Sequence, residues 1–346
     1  MDFKSDNIVG VHPTIIEAII NANTGVEASY GNDSYTALLK EKLSEIFETE
    51  VSIYLTSTGT AANGLALSTI TPVHGMIYSH ANAHVNTDEC GAPELFTSGA
   101  KIVPLSGDNY KIDCNHLKQH IESSLSMRPH ASKPGCITLS QATECGTIYS
   151  LEELRAIADI AKYYDLPIHM DGARFANSLI TLKCTPAEAT WKSGVDVLSF
   201  GATKNGALAA EVVIFFNQKY NQDADYKQKR AGQLISKMRF FSCQFLAYFE
   251  NDLWLKNATH ANSMAINLAN IFIKYGLELE YKVEANELFV RMPAKLALYL
   301  QQNSGSFYEW EKPNDQGNGL YRFVTSCFTS GENLSKLEEY LKLYQA

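Results

Sequence analysis

Short apolar segments alternate with helical patterns between about residues 40 and 220, and this alternation restricts the possible fold more than any other feature. Strands separated by helices are typical of crossover connections, so the sequence predicts an α/β fold with a largely parallel sheet flanked by helices. The seven predicted strands are VSIYL (51–55), MIYSH (76–80), KIVPL (101–105), CITLS (136–140), PIHMD (167–171), VDVLSF (195–200) and VVIFF (212–216).

The pattern after residue 220 differs from the pattern before it. Long helical stretches are followed by the strand-like segments ELFVRM (287–292) and GLYRFVTSCF (319–328) and by a last helix. A chain of 346 residues is also longer than one ordinary core usually covers. We therefore predict a large domain over residues 1–250 and a smaller α+β domain over residues 251–346.

Composition excludes several classes of protein. The 29 basic and 38 acidic side chains give a net charge of −9, which argues against binding to nucleic acid or to an anionic membrane. No window approaches the roughly 18 apolar residues of a membrane span. The seven cysteines are scattered without a CxxC pair, so we expect a reduced, cytoplasmic location.

Two residues at predicted strand ends suggest a cofactor. Lys204 follows VDVLSF by a short turn and lies among small residues, so it is either a surface lysine or an amine suited to a Schiff base with an aldehyde. Asp171 ends the strand PIHMD, where it either closes a turn or supplies a carboxylate. Pyridoxal phosphate (PLP) needs a carboxylate against its ring nitrogen and a lysine amine, and the pair would supply both.

The segment that follows the first predicted strand is a candidate anion site. Ser57–Asn63 leads from a strand into an apolar helical pattern, and hydroxyl groups with a glycine at a helix N-terminus can bind phosphate. An ordinary helix N-cap is the alternative. Because neither GxGxxG nor GxxxxGK[ST] occurs, a single phosphate is favoured over a dinucleotide.

Histidine and arginine complete the candidates. His84 lies four residues after His80, but no HExxH pattern follows, so we expect no metal site. We interpret His84 as a ring that stacks on a planar cofactor; a polar loop residue is the alternative. Arg174 and Arg322 are candidates to grip a carboxylate, and a surface arginine is the alternative for Arg322.

Five segments, taken together and in order, resemble the low-specificity L-threonine aldolase family. That resemblance implies the aspartate-aminotransferase-like fold (PLP fold type I) and a PLP-dependent lyase that splits threonine, allo-threonine and phenylserine-type β-hydroxy amino acids into glycine and an aldehyde. The segments are SYGNDSYTALLKEKL, STGTAAN, AHVNTDECGAPE, HMDGARFANS and DVLSFGATKNGALAAE.

The resemblance also implies roles for individual residues. Lys204 would bond to the cofactor, Asp171 would pair with its ring nitrogen and His84 would stack on its ring. The implied phosphate turn consists of Thr58, Gly59 and Thr60. The implied substrate-carboxylate site consists of Ser5, Arg174 and Arg322. Further implied cofactor contacts are Arg174, Arg230 and Arg239.

Two implications concern the subunits and the base. Tyr30, in YGND, would border an active site shared between subunits of a homotetramer built from dimers. After the fourth predicted strand, many members of the family have the segment ENTHNG, in which a histidine is proposed to act on the substrate hydroxyl. This chain has QATECG there, with Glu144 at that place. The general base is therefore open between His84, Glu144 and a bound water. The other functions considered are another β-eliminating lyase and a catalytically silent PLP-binding relative.

Overall fold

The computed structural model describes residues 1–345 and has an α/β architecture. Its strands are β1 (Ser52–Thr56), β2 (Gly75–His80), β3 (Lys101–Leu105), β4 (Lys133–Ser140), β5 (Ile168–Gly172), β6 (Val197–Gly201), β7 (Glu211–Phe215), β8 (Glu278–Leu279), β9 (Glu287–Pro293), β10 (Tyr308–Glu311) and β11 (Asn318–Val324). Its helices are α1 (Pro13–Ala22), α2 (Ser34–Ile46), α3 (Gly59–Ile70), α4 (His84–Thr87), α5 (Ala92–Phe96), α6 (Cys114–Ser126), α7 (Leu151–Tyr163), α8 (Phe175–Leu182), α9 (Ala224–Arg230), α10 (Arg239–Phe249), α11 (Leu253–Lys274), α12 (Ala294–Gln302) and α13 (Gly331–Gln345). No helix in this part of the chain is long and apolar enough to cross a membrane.

The large sheet has seven strands in the order β1-β7-β6-β5-β4-β2-β3, which confirms the seven predicted strands. Strand β7 runs antiparallel to both of its neighbours, β1 and β6. The remaining neighbouring pairs in this sheet are parallel. Because β1 and β6 both oppose β7, β1 also runs in the common direction. The carboxyl ends of β1, β2, β4, β5 and β6 therefore meet at one edge of the sheet, where ligands of such folds bind.

An aromatic cluster fastens the helices that cover one face of this sheet. Phe200 of β6 is fully buried, and its ring lies 5.6 Å from Phe175 and 5.9 Å from each of Phe245, Phe249 and Trp254. These partners belong to α8, α10 and α11. Phe200 thus packs three helices against the strand that leads to Lys204.

Two local predictions can be compared with the structure. The segment SLEE, in which Ser150 and Glu153 are three residues apart, predicts a capping box at the start of a helix. The structure confirms it, because the Ser150 hydroxyl accepts from the Glu153 N–H and the Glu153 carboxylate accepts from the Ser150 N–H. The strand-like segments ELFVRM and GLYRFVTSCF correspond to β9 and β11, which lie in a second, antiparallel sheet of order β10-β11-β9-β8.

The small sheet has its own apolar core, and the chain's N-terminus lies in it. Phe3 is fully buried beside Phe323 of β11, and the N–H of Val324 donates to the carbonyl of Phe3. Helix α11 contributes to both cores, with Ala258 in the large one and Phe272 in the small one. A division at residue 250 stays a prediction.

We expect Phe200→Ala to lower the free energy of unfolding by about 3–5 kcal/mol, because it empties a buried ring site that the helices cannot fully close. Urea denaturation followed by circular dichroism measures the loss. Tyr163→Ala is the matched control, since the Tyr163 side chain on α7 is 80% exposed. A loss below about 1 kcal/mol for Phe200→Ala would contradict the role of this cluster.

Candidate active site

A cavity of about 290 Å³ lies at the edge where the five carboxyl ends meet. It brings together residues that are far apart in sequence and that the motifs had singled out. The predicted site residues that line it are Thr58, Gly59, Thr60, His84, Glu144, Asp171, Arg174 and Lys204. Parallel strand direction explains the convergence, because each strand delivers the turn that follows it to the same edge.

The turn after β1 forms the N-terminus of α3. Thr58 is the N-cap, and its hydroxyl accepts a hydrogen bond from the N–H of Ala61 at 3.1 Å. Ser57 is held by Gln233, whose side-chain oxygen accepts from both the N–H and the hydroxyl of Ser57. A Cβ atom added at Gly59 would have open space within 4 Å. The first N–H groups of a helix lack partners within it, so this open turn can accept an anion.

Asp171 is a buried carboxylate at the end of β5. Its Oδ2 accepts from Asn63 Nδ2 at 2.8 Å, and its Oδ1 accepts from the Ala173 N–H at 3.0 Å. Burial by itself raises the pKa of Asp171, but the neighbouring His84 and Lys204 charges and these hydrogen bonds bring its pKa below the ordinary value. Asp171 is therefore ionised at neutral pH.

Lys204 lies in a short turn that is fixed by its neighbour. Asn205 Nδ2 donates to the hydroxyl of Tyr248 at 2.6 Å and to the carbonyl of Trp254 at 2.9 Å, and Asn257 donates to the Asn205 carbonyl at 2.9 Å. The amine of Lys204 makes no hydrogen bond or ion pair with the residues that the structure describes. The backbone is thus rigid while the amine is free to react.

His84 is the first residue of α4 and contacts two carboxylates. Its Nδ1 lies 2.9 Å from Glu89 Oε1, and its backbone N–H donates to Glu144 Oε1 at 2.8 Å. The hydrogen bond to Glu89 raises the pKa of His84 more than burial lowers it. One ligand-type atom each from His84, Glu89 and Asp171 lies within 4.8 Å of the others, and the Nδ2 of Asn63 donates to both carboxylates, so these side chains form one hydrogen-bonded network.

Glu144, the residue in QATECG that is one candidate for the general base, lies inside the cavity. Its Oε1 also accepts from the Ser140 hydroxyl at 2.5 Å, while its Oε2 is buried and has no partner among the described residues. Burial raises the pKa of Glu144 to about 7 despite these hydrogen bonds. The carboxyl group can therefore exchange a proton near neutral pH.

Two cavity carboxylates escaped the sequence analysis. Glu89 follows His84 by five residues in HVNTDE, a spacing that could have drawn attention to it. Glu211 opens the otherwise apolar β7, and its Oε1 accepts from the Thr203 hydroxyl at 2.6 Å. Burial raises the pKa of Glu211 to about 7. The available signal was an acidic residue directly before the predicted apolar strand VVIFF (212–216).

Arg174 is held by carboxylates from two distant parts of the chain. Its Nε donates to Asp6 Oδ2 at 2.8 Å, and its Nη2 lies 2.5 Å from Glu287 Oε1 of β9. Ser5 does not line the cavity; its hydroxyl accepts from the N–H of Asn7, which does. Arg174 thus connects the N-terminal segment, the large sheet and the small sheet.

The remaining predicted residues lie outside the cavity lining. The guanidinium of Arg322 is 5.1 Å from the ring centroids of both Tyr308 and Trp310, and its buried Nε has no partner among the described residues. Arg230 is exposed at the end of α9. The last two predicted residues are Arg239, whose Nη1 donates to the Thr24 carbonyl at 3.4 Å, and Tyr30, which is 48% exposed.

The buried Glu144 carboxyl predicts a pH-dependent difference in stability. A folded-state pKa of about 7 exceeds the ordinary value of 4.5, so the stability that wild type has below pH 4.5 declines as pH rises to 7. Glu144→Gln does not titrate, so it should gain up to about 3 kcal/mol relative to wild type across this window. Urea titrations at pH 5 and pH 8 measure the change, and exposed Asp88→Asn is the control. A difference independent of pH would contradict the shifted pKa.

The chain is similar to known proteins over nearly its whole length. The model of the beta-eliminating lyase family matches residues 2–295. The chain is 41% identical to a low-specificity L-threonine aldolase of Pseudomonas sp. (strain NCIMB 10558), covering 97% of this chain and 95% of that protein. It is 39% identical to the enzyme of the same name from Pseudomonas aeruginosa, with 99% and 97% covered.

A solved structure supports the same assignment. The threonine aldolase of Leishmania major superposes with a TM-score of 0.94 and 27% identity, covering 100% of this chain and 99% of that one. Sequence and structure therefore agree over nearly the full length. The chain belongs to the beta-eliminating lyase family and, within it, to the low-specificity L-threonine aldolases.

Proposed function

We propose that this protein cleaves L-threonine and L-allo-threonine, and β-hydroxy amino acids of the phenylserine type, into glycine and an aldehyde. The observation that carries the proposal is the pairing of an unpartnered amine, Lys204, with an ionised carboxylate, Asp171, in one cavity. The names of the relatives point to the same reaction.

The donor groups of the cavity fit pyridoxal phosphate. The α3 N-terminus at Thr58, Gly59 and Thr60 suits the phosphate, the Asp171 carboxylate suits a protonated ring nitrogen, and the Lys204 amine suits the aldehyde carbon. His84 lines the same cavity and suits stacking on the ring. When bound, this cofactor withdraws electrons from the bonds at the substrate Cα.

We assign binding of the substrate carboxylate to Arg174, which lines the cavity, together with Arg322 and the Ser5 segment, of which Asn7 lines the cavity while Ser5 and Arg322 do not. Asp6 and Glu287 hold Arg174 through Nε and Nη2, so Nη1 is the nitrogen left to meet the substrate. The buried Nε of Arg322 lacks an acceptor, which is unfavourable unless a ligand supplies one. A fixed carboxylate orients the Cα–Cβ bond and so decides which bond breaks.

We assign the general base to Glu144. Cleavage of the Cα–Cβ bond requires loss of the β-hydroxyl proton, and a base works best when its pKa is close to the working pH. Burial raises the pKa of Glu144 to about 7 and leaves its Oε2 without a partner among the described residues, whereas the hydrogen bond to Glu89 raises the pKa of His84 and so favours its protonated form, which cannot accept a proton. Glu144 can therefore take the proton at neutral pH and return it afterwards.

Replacing Lys204 tests the reaction class. Lys204→Ala should lose the visible absorbance of the bound cofactor and lower the cleavage of L-threonine by at least about 10³-fold, because the covalent attachment is gone. Absorption spectra and assays of glycine and acetaldehyde measure both effects. Lys219→Ala removes an exposed lysine and should behave as wild type. A Lys204→Ala protein that cleaves threonine at the native rate refutes the proposal.

Replacing Glu144 tests the base. Glu144→Gln keeps the shape of the side chain but cannot accept a proton, so kcat on L-threonine should fall about 10²–10⁴-fold with a smaller change in KM. The wild-type rate should rise with pH through about 7, and this limb should be absent in the variant. A variant that retained the kcat and pH profile of wild type would return the role to His84 or water.

Product identity separates the alternatives. A lyase that eliminates a β-substituent would release pyruvate and ammonia from tyrosine, tryptophan or cysteine, whereas the aldolase releases glycine and an aldehyde. A catalytically silent relative would release neither. A panel of these amino acids scored for all four products decides between the three.

We also propose a cytoplasmic homotetramer built from dimers. Arg230 and Tyr30 are exposed on the chain, yet Gln233, close to Arg230 in sequence, contacts the phosphate turn at Ser57. Such residues suit a site completed by a second subunit. The seven cysteines are unpaired thiols, which agrees with a reducing compartment.

A further inference from the structure

Glu89 is a buried carboxylate of the cavity that has no assigned role. It lies between α4 and α5, and its side chain is 0% exposed. Its Oε1 accepts from Asn63 Nδ2 at 2.7 Å and lies 2.9 Å from His84 Nδ1, while its Oε2 has no partner among the described residues. A buried carboxylate that is only half satisfied destabilises the fold, so its presence calls for a functional reason.

The amide of Asn63 determines where the protons lie. Its one nitrogen donates to Glu89 Oε1 and to Asp171 Oδ2, at 2.7 and 2.8 Å, which uses both of its hydrogens. The flipped amide would set its oxygen against two carboxylate oxygens, so this orientation is the favourable one. Glu89 Oε1 is therefore an acceptor, and the hydrogen toward it from His84 must be on Nδ1.

We propose that Glu89 is a positioning residue for His84: it fixes the imidazole with a proton on Nδ1 and, through Asn63, ties that ring to Asp171. This inference rests on the proposed function, in which His84 stacks on the cofactor and Asp171 meets its ring nitrogen. Nε2 makes no hydrogen bond with the described residues, so it is the nitrogen left to face the reacting groups.

The charges around the network match this role. The groups that face His84 are Glu89, Asp171 at the end of β5, Lys204 after β6, and Glu144, which accepts from the His84 backbone N–H. A protonated His84 would pair with Glu89, while Asp171 would pair with a protonated cofactor ring. Two buried carboxylates are then matched by two cations.

The first test reads the proton on His84 without turnover. The full-length protein, with and without cofactor, is labelled with ¹⁵N-histidine, and the two ring nitrogens of His84 are followed by NMR across pH 5–9, with His84→Phe identifying the signals. We expect the Nδ1–H form in wild type, and in Glu89→Gln a His84 pKa lower by about one unit, because the carboxylate that favours the cation is gone.

Asp88→Asn removes the exposed neighbouring carboxylate and should leave the His84 pKa at its wild-type value. A proton on Nε2 alone in neutral wild-type His84 overturns the proposal whether or not any variant folds. An unchanged His84 pKa in a folded Glu89→Gln protein also overturns it.

The second test asks whether Glu89 acts through His84. Glu89→Gln should lower kcat on L-threonine about tenfold, the factor that corresponds to one pKa unit, and should shift the pH profile. In a His84→Phe background the same change should have little further effect on kcat or on the profile, since the imidazole is absent. Fully additive losses would show that Glu89 does not work through His84.

The two tests separate this inference from the proposed function. A protein that shows the expected His84 titration but releases no glycine from threonine contradicts the aldolase proposal and keeps the positioning role. A protein that cleaves threonine but shows an unshifted His84 in Glu89→Gln contradicts the positioning role and keeps the aldolase proposal.

Discussion

The site depends on the interactions that keep the buried Asp171 carboxylate ionised. Asp171 is buried, and it stays ionised through its hydrogen bonds with Asn63 and the Ala173 N–H and through the nearby His84 and Lys204 charges. Since Asn63 also binds Glu89, the same amide links the carboxylate to His84. Asn63, in the second turn of α3, thereby hydrogen-bonds to two of the carboxylates that line the cavity.

The strand directions make this compensation possible. Asp171 lies at the end of β5, and Asn63, His84 and Lys204 follow the ends of β1, β2 and β6. Only a common strand direction brings the four to one edge of the sheet. The aromatic packing around Phe200 holds α8, α10 and α11 against β6, the strand that leads to Lys204. Arg174 adds a link to the small sheet, because Glu287 of β9 reaches it across the boundary between the two sheets.

The net charge of −9 is accompanied by an excess of carboxylates in the cavity as well. Lys204, Arg174 and His84 face Glu89, Glu144, Asp171 and Glu211 within one cavity, so the excess of carboxylates persists even there. Burial resolves part of the excess, because it raises the pKa of Glu144 and of Glu211 to about 7. A phosphate and a substrate carboxylate are then met by the helix N-terminus and by arginines rather than by a general positive surface.

The sequence by itself determined the seven strands, the α7 capping box and the turns that carry Lys204, Asp171 and Thr58, because these depend on local periodicity and on residue type. Only the tertiary structure decided the partners. No local pattern in the sequence predicts that Asn63 contacts both Glu89 and Asp171. Nor does one predict that Asp6 pairs with Arg174, which lies 168 positions further along the chain. Burial explains the difference: whether a carboxylate is ionised or holds a proton depends on the atoms packed around it, and the fold brings those atoms from distant parts of the chain.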